Sequence, residues 1–414
     1  MKIYKFGGAS VKNASAVKNL KNILTKSSTP VIVVVSAMDK ITNVLEKLHG
    51  FYLQKNKEKI WQTFDDLYSF HDSICSALFN NNKTPASVNK YFDELKRKLK
   101  TNPSLNKDYE YDQIVSFGEL ISSTIVYEYL NEQDYIINFL DIRTVLRTDN
   151  IYKEANIDWE TSKNLVSVFV NKNKLPIITQ GFIGSTHERI NTTLGREGSD
   201  FTAAALAYML DAQEVVIWKD VPGIMNADPA WCKFAEKIDV LSYQEAIELS
   251  FFGAKVIHPK TIKPLQNKNI PLRVKSFVAP NEEGTIIKNI DYKLKLIPVY
   301  ILKENQILLS ISPRDFSFIV EENISKIFSQ FAKHRIKVNM IQNSAISFTA
   351  SIDNSNKIED LIKELSKEYT VKYNNGLTLI TIRHYNDEAI DKMIAEKTLL
   401  LEQRSRLTIR MVTE

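Results

Sequence analysis

Short runs of β-branched and aromatic residues alternate with helix-length amphipathic segments along the first 290 residues. Residues 3–6 and 31–36 are two such runs separated by one helix-length segment, a spacing typical of a βαβ unit. Residues 31–35 contain only valine and isoleucine, which predicts a central strand buried on both faces. Further strands are predicted at 135–140, 175–180, 214–218 and 271–277, and further helices at 201–210 and 242–251. The pattern favours an α/β fold with a mostly parallel sheet and helices on both faces.

Residues 43–130 have a largely helical pattern, which predicts a helical insertion beside the sheet. Trp61, Phe64, Leu67 and Tyr68 recur at helical spacing within it. We expect these side chains to form a hydrophobic core rather than a ligand cage.

The pattern changes near Asp291, where shorter strands and helices follow in the order βαββαβ. This order is typical of a ferredoxin-like α+β unit. A second copy begins at about residue 377 and reaches the last residues without its final helix and strand, although residues 297–302 are available to supply a strand. The predicted domains are therefore 1–290, 291–376 and 377–414.

Composition limits the classes of function. The 414 residues are 44% hydrophobic and 25% charged, with a net charge of +5 spread along the chain, so neither nucleic-acid binding nor a membrane span is expected. Cys75 and Cys232 form no CxxC pair and no metal-ligand spacing, and no metal site is predicted. A reducing cytoplasm is the expected location.

Two glycine-containing loops are the strongest chemical signal. Residues 5–10 read KFGGAS after the first strand, and residues 192–200 read TTLGREGSD before a helix. Glycines expose backbone N–H groups to close approach, and lysine adds a positive charge, so both loops are candidate phosphate sites. The sequence has no P-loop motif, no dinucleotide-binding GxGxxG and no protein-kinase HRD or DFG motif.

Six runs, taken together in this order and spacing, resemble the aspartate kinases of the amino-acid kinase fold. They are 5–10 (KFGGAS), 116–119 (SFGE), 193–200 (TLGREGSD), 218–224 (WKDVPGI), 227–229 (Ala-Asp-Pro) and 251–259 (FFGAKVIHP). The C-terminal pattern resembles the ACT regulatory units that such enzymes carry. The resemblance implies transfer of the γ-phosphate of ATP, with Mg²⁺, to the side-chain carboxylate of L-aspartate. The product, 4-phospho-L-aspartate, begins lysine, threonine and methionine biosynthesis.

The same resemblance assigns roles to individual residues. The catalytic residues it implies are Lys5, Asp200 and Lys255. The ATP-binding residues it implies are Lys5, Gly7, Gly8, Ser10, Lys219, Asp220, Met225 and Lys255. The substrate-binding residues it implies are Thr42, Glu119, Arg196 and Ser199, where Glu119 would hold the α-ammonium and Arg196 a carboxylate.

The sequence departs from the family pattern at several positions near these loops. Ala9 replaces a common threonine, Glu197 stands where glycine is usual, and Lys219 occupies a position that is often threonine. Met225 replaces a tyrosine expected near the adenosine, and Ala230 replaces the arginine of Asp-Pro-Arg. These changes bear on nucleotide contact and on the charge beside the substrate.

Two alternatives stay open: another amino-acid kinase of this fold, acting on glutamate, acetylglutamate or a nucleotide, and a non-catalytic amino-acid-binding regulatory protein. Open sheet edges in the C-terminal units predict a homodimer or a dimer of dimers. An amino-acid effector is predicted at Gln342, Asn343 and Ser344, with lysine as first choice and threonine as second, by resemblance. Lys337 and Asn339 lie nearby, and neither provides a carboxylate that could pair with the ammonium of a bound lysine.

Overall fold

The computed structural model describes residues 1–254, 257–292, 296–315 and 317–414. The strands are β1 (Lys2–Phe6), β2 (Val31–Val35), β3 (Asn138–Leu140), β4 (Ile177–Gln180), β5 (Ile183–Ser185), β6 (Asn191–Thr193), β7 (Glu214–Lys219), β8 (Ile224–Met225), β9 (Lys237–Ile238), β10 (Val240–Ser242), β11 (Leu272–Ser276), β12 (Thr285–Lys288), β13 (Val299–Pro313), β14 (Val338–Asn343), β15 (Phe348–Asp353), β16 (Tyr369–Arg383), β17 (Leu399–Arg404) and β18 (Thr408–Thr413).

The α-helices are α1 (Ala14–Thr25), α2 (Ile41–Leu53), α3 (Lys57–Leu78), α4 (Ala86–Leu99), α5 (Lys107–Val115), α6 (Phe117–Glu132), α7 (Trp159–Lys172), α8 (Gly198–Leu210), α9 (Tyr243–Phe252), α10 (Pro259–Asn267), α11 (Glu321–Lys333), α12 (Ile358–Leu365) and α13 (Asp387–Ile394). Short 3₁₀-helices span Gly8–Val11 and Ile142–Thr144.

The chain divides into two compact units. The first comprises Met1–Ile224, Asp239–Ile247 and Ile257–Tyr292. The second comprises Met225–Ile238 and, among the described residues, 248–254 and 296–414. The boundaries predicted at residues 290 and 376 stay a prediction.

The first unit is built on an eight-stranded sheet in the order β10-β12-β11-β7-β1-β2-β4-β3. Neighbouring strands are parallel except β11 and β12, which are antiparallel. Every residue of β2 is buried, because both faces of the sheet are covered there. The predicted α/β class with a mostly parallel sheet is confirmed, and the helical insertion consists of α2 to α6.

The second unit contains a six-stranded antiparallel sheet in the order β14-β15-β13-β16-β18-β17. The predicted order βαββαβ appears as β13-α11-β14-β15-α12-β16. Helices α11 and α12 pack Phe331 and Leu361 against Leu309 and Phe348 of the sheet. A second cluster packs Ile390 and other residues of α13 against β16 and β18.

Two strands are longer than the sequence pattern indicates. Residues 303–305 and 374–376 are polar and read as turns, yet β13 and β16 each continue through them for 15 residues. Asn305 and Gly376 have positive φ angles, and the pairing shifts register between Lys303 and Leu308 instead of ending. Residues 299–303 pair with 379–383, so the second copy receives the strand that its own sequence lacks.

Candidate active site

A buried ion pair lies at the carboxyl end of the central strand. Lys5, near the end of β1, places its Nζ 2.6 Å from Oδ1 of Asp200, in the first turn of α8. Burial alone would raise the pKa of Asp200, but the charges of Lys5 and Lys219 outweigh it and hold that pKa below its usual value. Asp200 is therefore an ionised carboxylate that fixes the Lys5 ammonium.

The first glycine loop is held against the segment that follows β2. A Cβ atom at Gly8 would lie 2.5 Å from the carbonyl oxygen of Asp39 and 2.9 Å from that of Ala37. The Gly8 carbonyl accepts a 3.0 Å hydrogen bond from the Asp39 N–H. The close approach of the loop to the Ala37 and Asp39 backbone therefore requires glycine at position 8. Gly7 lies beside Lys5, since a Cβ atom at Gly7 would be 3.4 Å from the Lys5 Nζ.

Glu119, in the first turn of α6, has an incompletely satisfied buried carboxyl group. Its Oε1 accepts a 3.2 Å hydrogen bond from the N–H of Ala37, and its Oε2 has no hydrogen-bond partner among the described residues. Burial raises the pKa of Glu119 to about 8. Gly118 allows the close approach, because a Cβ there would meet that of Ala37 at 2.9 Å. A cation entering the site would complete this arrangement.

The second glycine loop leads into α8. Ser199 is buried against Gly181, where a Cβ atom would lie 2.5 Å from that of Ser199. Arg196 and Glu197 are exposed on the loop. Glu197 has φ of +53°, a left-handed conformation that glycine adopts more easily than glutamate. Its Oε2 accepts a 2.9 Å hydrogen bond from the N–H of His258, which anchors the side chain.

These elements surround one cavity of 520 Å³ in the first unit. Seven residues chosen from the sequence line it: Lys5, Gly8, Thr42, Glu119, Arg196, Ser199 and Asp200. Four of its lining residues are non-glycine residues with positive φ: Asp39, Lys153, Phe182 and Glu197. Such backbone conformations are concentrated at functional sites.

Several lining residues were missed by sequence reasoning because no motif includes them. Lys153 lies with its Nζ 4.6 Å from the centroid of the Tyr111 ring, and the Tyr111 hydroxyl donates to Glu46 at 2.7 Å. Behind them, buried Asp112 accepts hydrogen bonds from the N–H groups of Lys153 and Thr193. Burial raises the pKa of Asp112 to about 6. Asp112 thus joins the loop that carries Lys153 to the end of β6.

Other predicted residues lie outside the cavity lining. The Ser10 hydroxyl donates to the carbonyl oxygen of Trp218 at 3.1 Å, and Asp220 is exposed just after β7. Met225 is half-buried and belongs to the second unit. Lys255 lies outside the described residues. The roles assigned to these residues stay predictions.

The predicted effector residues lie in the second unit. Gln342 and Asn343 end the edge strand β14, and both are exposed. The Ser344 N–H donates to the Ser347 carbonyl at 2.9 Å, which closes the turn toward β15. Their role in effector binding also stays a prediction.

In the described part of the chain, no group of three or more His, Cys, Asp or Glu side chains is placed to hold a metal ion. Within it, too, no helix is both long and apolar enough to cross a membrane.

Comparison with known proteins gives consistent results. The model of the amino acid kinase family matches residues 1–276. The lysine-sensitive aspartokinase 3 of Escherichia coli (strain K12) is 32% identical over 400 residues, covering 92% of this chain and 86% of that protein. The structure of E. coli aspartokinase III in complex with lysine and aspartate (T-state) matches with a TM-score of 0.83 at 28% identity. The complex of that enzyme with aspartate and ADP (R-state) gives 0.81 at 27%. Both matches span 100% of this chain, and 95% and 96% of the other chains.

The contact at Gly8 leads to a testable prediction. We expect Gly8→Ala to lower the free energy of unfolding by about 1–3 kcal/mol, because the methyl group overlaps backbone atoms of the facing segment. The same displacement should weaken ADP binding in calorimetry. Gly50→Ala is the control: no atom lies within 4 Å of a Cβ there, and the helical position should gain about 0.5–1 kcal/mol. Equal stability and ADP affinity in Gly8→Ala and the wild type would contradict the role of this contact.

Proposed function

Because this chain belongs to the aspartokinases of the amino acid kinase family, we propose that its 520 Å³ cavity transfers the γ-phosphoryl group of ATP to the side-chain carboxylate of L-aspartate, giving 4-phospho-L-aspartate. The observation that carries this proposal is Glu119. A buried carboxyl group with one unsatisfied oxygen lines the same cavity as Arg196 and the Lys5–Asp200 pair. An amino acid with one ammonium and two carboxylates needs partners of both signs.

Lys5 serves the phosphoryl group. Phosphoryl transfer requires neutralisation of negative charge and in-line positioning more than covalent chemistry. Asp200 holds the Lys5 ammonium beside the Gly7–Gly8 loop, so the charge is in place before the nucleotide binds. Lys219, whose charge also acts on Asp200, is proposed to contact the phosphates from the end of β7.

The substrate is proposed to bind between two walls of the cavity. Glu119 receives the α-ammonium, and the exposed guanidinium of Arg196 pairs with a carboxylate. Thr42 and Ser199 provide hydroxyl groups on the same lining. Glutamate would carry its reacting carboxylate one methylene farther out, and a misplacement of about 1 Å can cost on the order of 100-fold in rate, so we propose aspartate as the substrate.

ATP is proposed to enter as its magnesium complex. Magnesium keeps several water ligands and is commonly bound through substrate phosphates with only one or two carboxylates. This mode fits the described part of the cavity, where no set of three metal-ligating side chains occurs and the Asp200 carboxylate is engaged by Lys5. When bound, the ion would neutralise phosphate charge. Gly7, Ser10, Asp220, Met225 and Lys255 complete the proposed nucleotide contacts.

The second unit is proposed to assemble and regulate the enzyme. Strands β14 and β17 are the edges of its six-stranded sheet, and open edges are usually covered. We propose a homodimer or a dimer of dimers, with an amino-acid effector at Gln342, Asn343 and Ser344, lysine being the first candidate and threonine the second. A reducing location, the cytoplasm, is proposed because Cys75 and Cys232 are both buried free thiols.

Activity is the direct test. The purified chain should release ADP from MgATP with L-aspartate and not with L-glutamate in a coupled assay. Lys5→Ala should lower kcat by at least about 100-fold, because it removes charge needed in the transition state. Glu119→Gln should mainly raise KM for aspartate, by roughly 10- to 100-fold, since the ammonium contact is the same in ground and transition states. Lys12→Ala, an exposed lysine next to the same loop, is the control.

Equal rates with aspartate and glutamate would contradict the substrate assignment. Binding of aspartate without ADP release would instead favour a non-catalytic amino-acid-binding protein.

A second prediction uses the protonation state of Glu119. With a pKa of about 8, this carboxyl group is mostly protonated at pH 7, and an ammonium beside it lowers that pKa. Aspartate binding at pH 7 should therefore release a proton from Glu119, measured by calorimetry in two buffers of different ionisation enthalpy. The release should fade above pH 8, where the free protein has already lost the proton.

Glu119→Gln provides the control, since it keeps the shape of the side chain and cannot release a proton. The wild-type protein should also lose stability as pH rises from the unfolded pKa near 4.5 through 8, because the folded state binds the extra proton in this range. That loss should be smaller in Glu119→Gln. Aspartate binding without proton release would rule out contact between the ammonium and Glu119.

The effector proposal is tested by inhibition of the full chain. Lysine, or failing that threonine, should inhibit ADP release, and Asn343→Ala should raise the inhibition constant by about fivefold or more through loss of a polar contact. Asn375→Ala, an exposed asparagine on β16, should leave it unchanged. Light scattering should give a dimer or tetramer. If the protein is a monomer and neither amino acid inhibits it, the proposed role of the second unit in assembly and regulation is contradicted.

A further inference from the structure

A second cavity lies in the first unit and shares no lining residue with the candidate active site. Its volume is 320 Å³. Strands β1, β7 and β11 are adjacent and parallel, and their alternate residues Lys2, Tyr4, Trp218, Arg273 and Lys275 line its floor. The end of α1, with Lys26 and Ser27, and residues 280–281 complete the wall. None of the motifs identified in the sequence predicts this cavity.

The charges lining this cavity are unbalanced. Four cationic side chains, Lys2, Lys26, Arg273 and Lys275, face a single carboxylate, Glu214, which leaves three positive charges in excess. Glu214 is already shared: its Oε2 lies 2.9 Å from Nζ of Lys2, and its Oε1 lies 2.8 Å from Nε of Arg273. One carboxylate therefore satisfies two cations and leaves the other two without a partner of opposite charge in the lining.

Lys275 shows the effect of this imbalance. It is partly buried, and no carboxylate among the described residues forms an ion pair with it. Its Nζ lies 5.4 Å from the centroid of the Trp218 ring, a weak cation–π contact. Burial lowers the pKa of Lys275 first, and the positive charges of Arg273 and Lys2 lower it further against the opposing effect of Glu214 and Glu283. The ammonium is held where a negative charge would be favourable.

We propose that this cavity binds a small, multiply charged anion of the phosphate or polycarboxylate class. The volume lies at the lower end of the range for small-molecule sites, which limits the ligand to a compact molecule. Two or more negative charges are needed to engage Lys275 and Lys26 together without breaking the Glu214 pairs. The Tyr4 hydroxyl and Ser27 hydroxyl, 3.4 Å apart, add neutral hydrogen-bonding groups beside them. The proposal does not depend on the proposed kinase activity.

The anion-binding proposal is tested by calorimetric titration of the full chain with pyrophosphate and, separately, with citrate. Saturable binding of at least one of them is expected, and the one that binds identifies the chemical class of the ligand. Lys275→Gln should weaken it by about fivefold, the contribution of one partly exposed charge contact. Lys21→Gln, a lysine on α1 outside the cavity, should have no effect. Added salt should weaken binding.

Arg196→Gln separates this site from the candidate active site, because it removes an exposed positive charge from that cavity without leaving a buried charge uncompensated, and binding here should survive the change. A thermal scan guards against misfolding: Lys275→Gln relieves repulsion, so its midpoint without anion should not fall, while the rise with anion should shrink. The proposal is overturned if neither probe binds, if Lys275→Gln binds as tightly as the wild type, or if Arg196→Gln abolishes binding.

Discussion

The ion pair between Lys5 and Asp200 is the contact around which the catalytic unit is organised. It connects the end of the central strand to the first turn of α8, and so fixes the first glycine loop relative to the second. Both side chains are largely buried, at 11% and 5% exposure. Removing one partner would leave a buried charge uncompensated, a change that typically costs about 3–5 kcal/mol. The position of the first glycine loop and the stability of the carboxyl end of β1 therefore depend on the same two residues.

Carboxyl groups in this unit take different protonation states because their surroundings differ. Asp200 has a lysine at 2.6 Å and stays ionised, whereas burial raises the pKa of Glu119 to about 8 despite the hydrogen bond from the Ala37 N–H. Asp112 accepts hydrogen bonds from the Lys153 N–H and from the N–H and hydroxyl of Thr193, and its pKa of about 6 lies between these extremes. The first acid holds the Lys5 ammonium, the second keeps one oxygen without a hydrogen-bond partner among the described residues, and the third joins two segments of the chain. These differences agree with the separate roles proposed for Asp200 at the nucleotide and Glu119 at the substrate.

Local sequence signals were sufficient for much of the fold and for the centre of the site. The strand at 31–35 and the glycine loops at 5–10 and 193–200 can be predicted because the residues that determine them are adjacent in sequence. Lys153 and the cavity around Lys275 could not be found in this way, because they arise from strands and loops that are distant in sequence. The continuation of β13 through residues 303–305 was missed for a related reason: a polar run resembles a turn until a partner strand is available to pair across it.

The two 15-residue strands β13 and β16 have a mechanical consequence for the second unit. Both belong to each half of the six-stranded sheet, so the halves share a backbone instead of meeting through a flexible linker. A twist of one half relative to the other would therefore be transmitted through the backbones of β13 and β16. The pairing between these strands is irregular from residue 303 to residue 308. We expect the strands to deform there first when the two halves twist.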